Sequence, residues 1–231
     1  MKQTSITKLS EVYNNLNARY NGESYSYDDK YMADLIKEVI RAESIAKPKG
    51  SKFDIYNYVY CADDLRPAMT GVFHDEGWRV ASDTHLLFAE KAEYAEEFEH
   101  TILKKDGSFV GESITYPKWR SVLPRDDEDG YKPYEFDAQK FYDWLEEKRT
   151  QYKTEYGKGT KFAYTWRVSV GPACLKAELF DKIVTAMKYL GATQLYVKDA
   201  RRAVYAKTDK GIILLMPVLQ DGKSEDILTL V

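Results

Sequence analysis

The chain has 231 residues, of which 44% are apolar and 31% are charged, a composition typical of a soluble globular protein. This length predicts one large domain or two small domains. A net charge of −3 excludes nucleic-acid binding over the whole surface, although it is compatible with a local basic face.

Targeting and cysteine patterns predict a cytoplasmic protein. No apolar run approaches the length of about 20 residues that a membrane helix needs, and no signal-peptide pattern opens the sequence. Cys61 and Cys174 lie far apart and belong to no CxxC unit, so two free thiols are expected. A single disulfide between them stays open as an alternative.

Helices are predicted first in the chain and strands after them. Residues 6–16 are a short helix candidate, and residues 32–40 are a stronger one because their apolar residues fall at helical spacing. Residues 53–60 alternate aromatic and polar side chains and predict a strand. Residues 68–73 and 78–82 predict a hairpin through the turn at 74–77, and residues 86–88 continue the meander. Residues 90–100 are acidic and are either helix or loop, and a further hairpin is predicted around 105–107.

The second half repeats this order. Helices are predicted over 137–152 and 176–190, with a strand over 162–170 between them. Gly191 is a natural cap for the second helix. Short turns then separate strands at 194–198, 203–207 and 212–218, which indicates an antiparallel meander. Each half is therefore a helix followed by a meander, which predicts an α+β fold with helices on one face of antiparallel sheets. The acidic residues 126–129 resemble a linker and give predicted domains of 1–125 and 126–231.

The sequence indicates no enzymatic or metal-dependent chemistry. His74, His85 and His100 show no ligand spacing such as HExxH. Residues 157–161 lack the leading glycine of a phosphate loop and are interpreted as a mobile basic loop. The acidic run at 126–129 is interpreted as a solvated linker in preference to a cation site, because consecutive carboxylates point in different directions. No catalytic residue, metal site or cofactor is predicted.

Four segments carry a family resemblance. Residues 66–72 read RPAMTGV and precede ASDTHLL at 81–87, residues 116–124 read YPKWRSVLP, and residues 215–219 read LMPVL. In composition and in order, these segments resemble the bacterial β sliding clamp, the ring that tethers a replicative polymerase to DNA. The resemblance implies a DNA clamp-like fold with two clamp-type repeats and a non-catalytic binding function.

The chain departs from the family pattern in three respects. Thr84 stands where the family has glycine, and Leu86 stands where it has arginine. The chain also runs on to Val231, past Gln220, where a clamp normally stops. Its length leaves room for two of the three domains of a bacterial clamp chain, so ring closure requires a homo-oligomer; three two-domain subunits would restore six domains.

The resemblance implies a hydrophobic pocket that holds short peptides from DNA polymerases and other DNA-handling partners. Methionine and leucine give such a pocket an adaptable apolar surface, and prolines fix its walls. The alternative is that Leu87, Met216 and Val218 are core residues at the ends of strands. The implied pocket residues are Ser82, Asp83, Thr84, His85, Leu87, Pro124, Met216, Pro217 and Val218.

The resemblance also implies contact with double-stranded DNA through phosphates, without readout of base sequence. The alternative for the helix at 176–190 is an ordinary solvated face, because Glu178 and Asp181 dilute its positive charge. The implied DNA-contacting residues are Arg66, Lys140, Lys148, Arg149, Lys176, Lys182 and Lys188.

Three functional hypotheses follow. The first is a processivity or scaffold factor that associates with DNA and binds partner peptides. The second is a clamp-fold interaction module that does not encircle DNA. The third is an unrelated α+β enzyme, which requires His85 and several carboxylates to share one pocket.

Overall fold

The computed structural model describes residues 53–60, 66–111, 113–125, 130–219 and 226–231, together with residues 9, 12–14, 16, 31–32, 34–37 and 39. The described residues between 9 and 16 and between 31 and 39 are helical, as predicted for both segments. The expected linker at 126–129 and the thiol of Cys61 lie outside the described residues. Within this described part of the chain, no helix combines the length and the apolar character needed to cross a membrane.

The chain divides into two compact units. The first comprises Met1–Ala81 and Ala89–Pro117, and the second comprises Ser82–Phe88 and Lys118–Val231. The second unit thus contains residues 118–125, which precede the expected boundary at residue 126. It also contains the short segment Ser82–Phe88. The presence of two clamp-type repeats stays a prediction.

The first unit contains a small antiparallel sheet. Strands β1 (Val72–Asp75) and β2 (Trp78–Ser82) form the predicted hairpin, with Phe73 opposite Val80. Strand β4 (Ile102–Leu103) pairs with the other edge of β1. Strand β3 (Leu86–Lys91) follows β2, and a single 3-10 turn at Glu96–Phe98 occupies part of the segment for which helix and loop were both open.

The strand predicted for residues 53–60 is wrong, because Ile55–Tyr58 form a 3-10 helix. The Asp54 side chain accepts a hydrogen bond from the Tyr56 backbone N–H at 3.0 Å, which caps this turn. Ile55, Tyr56 and Tyr58 are all buried. The alternation of aromatic and polar residues in this segment predicted a strand with one exposed face. In the 3-10 turn, side chains that alternate in sequence are buried on several sides of the backbone.

The second unit contains two sheets. Residues 86–88 of β3 lie beside β10 (Gly211–Leu215), and the order continues through β9 (Val204–Lys207) and β8 (Leu195–Val197) to β5 (Lys132–Tyr134). The predicted antiparallel meander of β8, β9 and β10 is confirmed. The other sheet has the order β11-β6-β7, formed by Ile227–Thr229, Arg167–Val170 and Ala173–Lys176.

Two helices supply much of the core of the second unit. Helix α1 (Ala138–Tyr156) begins at Asp137, whose carboxylate accepts from the Gln139 N–H at 2.8 Å. Helix α2 (Ala177–Leu190) buries the apolar stripe read from the sequence and ends at Gly191, whose φ of +77° suits glycine. The rings of Phe141 from α1 and Phe180 from α2 meet edge to face at 5.0 Å, and neither residue is accessible to solvent. The architecture is therefore α+β, as predicted.

The C-terminal residues form a strand that the sequence did not reveal. Strand β11 pairs in parallel with β6, and the Arg167 N–H donates to the Asp226 carbonyl at 2.9 Å. The strand predicted for 162–170 is shorter than expected, since only Arg167–Val170 is extended. The edge of β6 provides the backbone hydrogen-bond partners that allow the three residues of β11 to form a strand.

Candidate functional site

A tight turn between β2 and β3 carries the first group of candidate pocket residues. The Asp83 carboxylate accepts from the backbone N–H groups of His85 at 3.1 Å and Leu86 at 2.9 Å. The Ser82 hydroxyl donates to the Leu86 carbonyl at 2.8 Å. Together with the backbone bond from the Asp83 N–H to the Leu86 carbonyl at 3.2 Å, these side-chain bonds hold the turn in one conformation.

Thr84 explains why a glycine belongs in this turn. Its φ is +77°, in the left-handed region that residues with a side chain at Cβ rarely adopt. The Thr84 N–H is held by the Ser82 hydroxyl at 3.2 Å. A β-branched residue therefore occupies a backbone conformation that favours glycine, which places the turn under strain.

The turn is connected to the end of β10 and to α2. The Met216 N–H donates to the His85 carbonyl at 2.8 Å. The second carboxylate oxygen of Asp83 pairs with the Lys182 ammonium at 3.1 Å, with both side chains largely shielded from water. Farther along, the Val218 N–H donates to the Cys174 carbonyl at 2.8 Å. The structure thus brings two distant predicted segments, 82–87 and 216–218, into one hydrogen-bonded arrangement.

The predicted pocket residues differ in their access to a ligand. Ser82 and Leu87 are buried at 6% and 8% exposure, so the alternative that Leu87 is a core residue fits its position. Met216 is 47% exposed, and His85 is exposed as well. Pro124, Pro217 and Val218 are intermediate. The accessible part of the expected surface is therefore centred on Met216.

An open pocket of about 630 Å³ lies at this place in the second unit. Of the nine predicted pocket residues, only Met216 and Pro124 are among its described lining residues, and the sequence interpretation missed the other eight. The 3-10 helix Trp119–Val122 presents Val122, which is 58% exposed, at the pocket wall. The remaining lining residues are Ser121, Leu123, Arg125, Tyr131, Arg201, Arg202 and Ala203. The turn between β8 and β9 had no pocket signal in sequence, because its contribution depends on the meander packing.

The cations predicted on α1 are engaged within the second unit. The Lys140 ammonium donates to the Thr229 carbonyl at 3.0 Å, and Lys148 forms an ion pair with Asp226. The Arg149 Nε donates to the Lys161 carbonyl at 3.1 Å, and its guanidinium lies 5.4 Å from the Phe162 ring centre. The charged groups of Lys140, Lys148 and Arg149 therefore bind the C-terminal segment of the chain and the loop after α1.

The remaining predicted cations differ in their surroundings. Lys182 pairs with Asp83 as described, whereas Lys188 is exposed in the last turn of α2. Lys176 precedes the first turn of α2 and is half-buried. In the first unit, the exposed Arg66 lies over the Tyr60 ring at 5.7 Å. Within the second unit, four of the six candidate cations contact other protein groups, and Lys188 is exposed.

One group of three or more side chains among the described residues has its ligand atoms close enough to hold a metal ion. Asp75, Glu99 and His100 of the first unit place one such atom each within 4.8 Å of the others. His100 Nδ1 lies 3.3 Å from an Asp75 oxygen, while the Glu99 carboxylate accepts from the Tyr94 hydroxyl at 3.0 Å and from the Glu76 N–H at 2.7 Å. His85 is not part of this group, and neither His85 nor a carboxylate is among the described lining residues of the pocket at Met216.

His74 is a buried histidine with an unusual environment. It is 1% exposed, and its Nδ1 has no hydrogen-bond partner among the residues that the structure describes. Burial, with the nearby Arg79 charge as a secondary cause, lowers the pKa of His74 to about 3. Its ring instead packs edge-on against Tyr94 at 4.8 Å. His74 is therefore a neutral core residue in the physiological pH range.

Solved structures of bacterial β sliding clamps are similar to this chain. The clamp of Caulobacter crescentus aligns with 80% of this chain at 13% identity and a TM-score of 0.50. The clamps of Bartonella birtlesii and Pseudomonas aeruginosa align with 80% and 79% of it at 11% and 13% identity, both with a TM-score of 0.50. The chain spans about 64% of the Caulobacter clamp and 65% of the other two.

Sequence comparison adds no assignment: no protein-family model matches the chain, and no curated protein matches it at a significant level. The similarity is therefore one of structure, at low sequence identity and over most of the chain. Over about 80% of its length, the chain has the fold of a bacterial β sliding clamp.

Proposed function

We propose that this protein is a non-catalytic, clamp-fold factor that binds a short peptide segment of a DNA-handling partner in the pocket beside Met216. The observation that carries the proposal is the exposed apolar surface at that pocket. Met216 and Val122 are 47% and 58% exposed and both line a cavity of about 630 Å³. Large apolar side chains exposed together at a concave surface are typical of sites that bind a partner.

The rigidity of the neighbouring turn supports this proposal. The His85 carbonyl holds the Met216 backbone, and Asp83 holds both the turn and Lys182. A surface that is ordered before binding loses less conformational entropy when the peptide arrives. The flexible Met216 side chain can still adapt its shape to the peptide.

DNA association is the second part of the proposal and rests on the fold and on one exposed cation. The exposed Lys188 on α2 supports it. Four of the seven candidate cations, however, are engaged with protein groups: Lys140, Lys148, Arg149 and Lys182. Encirclement further requires a closed oligomer, so a monomeric mass by light scattering over the working concentration range excludes it. A monomer that still binds peptide would be an interaction module.

A peptide selection tests the proposal. The full chain is immobilised and used to select from a displayed library of random ten-residue peptides, in parallel with the variants Met216→Glu and Tyr164→Glu. Tyr164 is 86% exposed and does not line the pocket, so its variant is a matched charge control. We expect shared peptides to be enriched on the wild type and on Tyr164→Glu and to be lost on Met216→Glu. Equal enrichment on Met216→Glu would contradict the proposed site.

A further inference from the structure

The charge of the pocket determines which peptides fit it. Of the ten lining residues that the structure describes, three are arginines, namely Arg125, Arg201 and Arg202, and none is acidic. The chain as a whole carries a net charge of −3, so this positive charge is a local property. An occupant with carboxylates would complement it.

The arginines come from two separate parts of the second unit. Arg125 directly follows Pro124 at the end of the 116–124 segment, and the other two lie in the turn between β8 and β9. All three are exposed, so their guanidinium groups are accessible from solvent. The positive charge of the pocket therefore comes from two segments that are distant in sequence.

The turn that carries Arg201 and Arg202 is itself fixed. One oxygen of the Asp199 carboxylate accepts from the Arg201 N–H at 2.7 Å and from the Arg202 N–H at 2.9 Å. The Tyr131 hydroxyl holds the next residue through the Ala203 carbonyl at 3.2 Å. Two adjacent guanidinium groups thus project from an ordered backbone, which lowers the entropic cost of pairing them with carboxylates.

We propose that Arg201 and Arg202 select partner segments in which aspartate or glutamate residues flank a large apolar side chain. The apolar residue would lie against Met216 and Val122, and the carboxylates would pair with the arginines through two-pronged hydrogen bonds. This inference rests on the proposed peptide-binding function and specifies the chemistry of the peptide. Since the guanidinium groups are exposed, each pair contributes modestly and weakens with salt.

The test uses the same displayed library with two further variants of the full chain. Arg201→Ser combined with Arg202→Ser removes the two charges, and Lys153→Ser combined with Lys158→Ser removes two exposed charges elsewhere. We expect peptides selected on the wild type to be enriched in acidic residues next to an apolar residue. For the most enriched synthetic peptide, the arginine double variant should weaken binding by about tenfold and the lysine double variant by less than twofold.

A neutral version of the peptide completes the design. Replacement of its Asp and Glu residues by Asn and Gln should weaken wild-type binding by about tenfold and abolish the difference between the wild type and the arginine double variant. Peptides without acidic enrichment, or unchanged affinity in that variant, would overturn the inference while leaving Met216-dependent binding intact. Displacement of the peptide by a thymidine oligonucleotide of equal charge would also overturn it, because the arginines would then prefer phosphate. If the same peptides were enriched equally on the wild type and on Met216→Glu, the proposed function itself would be overturned.

Discussion

Replacement of Asp83 by alanine should loosen the turn that supports the pocket. The Asp83 carboxylate accepts three hydrogen bonds, from the N–H groups of His85 and Leu86 and from the Lys182 ammonium. The Leu86 N–H is partly buried and the Lys182 side chain is 26% exposed, so water replaces these bonds poorly. Each bond to a charged group is worth about 1.5 kcal/mol when shielded and less when exposed, which gives a loss of about 3 kcal/mol for Asp83→Ala.

The matched control is Asp83→Asn. An asparagine oxygen can still accept from the two backbone N–H groups, so this variant loses only the charge opposite Lys182 and should cost about 1 kcal/mol. Urea unfolding followed by tryptophan fluorescence measures both losses, since Trp144 and Trp166 lie in the second unit. Peptide affinity should fall in Asp83→Ala more than in Asp83→Asn, because the turn positions the His85 carbonyl that holds Met216. Equal stabilities for the two variants would refute this account of the turn.

Three further predictions concern the first unit. Gly71→Ala should destabilise it by about 2 kcal/mol in urea unfolding, because a Cβ there would lie 2.7 Å from the Leu103 carbonyl oxygen; an unchanged midpoint would contradict this. Glu90→Ala should cost about 3 kcal/mol, since it removes a carboxylate that pairs with the largely shielded guanidinium of Arg79, and adding Arg79→Ala should restore part of that loss; a double variant no more stable than Glu90→Ala would argue against the pair. Burial of His74 should lower the free energy of unfolding by up to about 1.4 kcal/mol per pH unit as the pH falls from about 6.5 towards 3. Over this range the histidine takes up a proton in the unfolded chain and stays neutral in the folded chain. His74→Leu should remove this part of the pH slope in unfolding titrations, and an identical slope would disprove the assignment.

Local patterns were sufficient to predict the regular elements with strong periodicity. The apolar stripe of α2 and its terminal Gly191 read directly as a helix, and the glycine turns around Gly77 and Gly211 read as hairpins. The strand prediction for residues 53–60 was wrong because their alternating pattern fits a strand, whereas the Asp54 side chain caps and stabilises a 3-10 turn there. Strand β11 could not be predicted because it exists through pairing with β6, which is distant in sequence.

The site was predictable only in part for the same reason. Met216 and Pro124 were identified by their resemblance to clamp segments, and both line the pocket. Arg201 and Arg202 lie in none of these segments. They line the pocket because the antiparallel meander places the turn between β8 and β9 beside it. Conversely, Lys140 and Lys148 look like available cations in sequence, because their partners Thr229 and Asp226 come from the end of the chain.

The most direct measurement is methyl NMR of the chain labelled with carbon-13 at its methionine methyl groups, titrated with the peptide that the library selection enriches. The Met216 signal, assigned with Met216→Leu, should shift in a saturable manner with the peptide concentration. Met187, which is 4% exposed in α2 and does not line the pocket, should remain in place as an internal reference. A bound peptide that leaves the Met216 signal unchanged would show that partner binding occurs elsewhere on the protein and would contradict the proposed site.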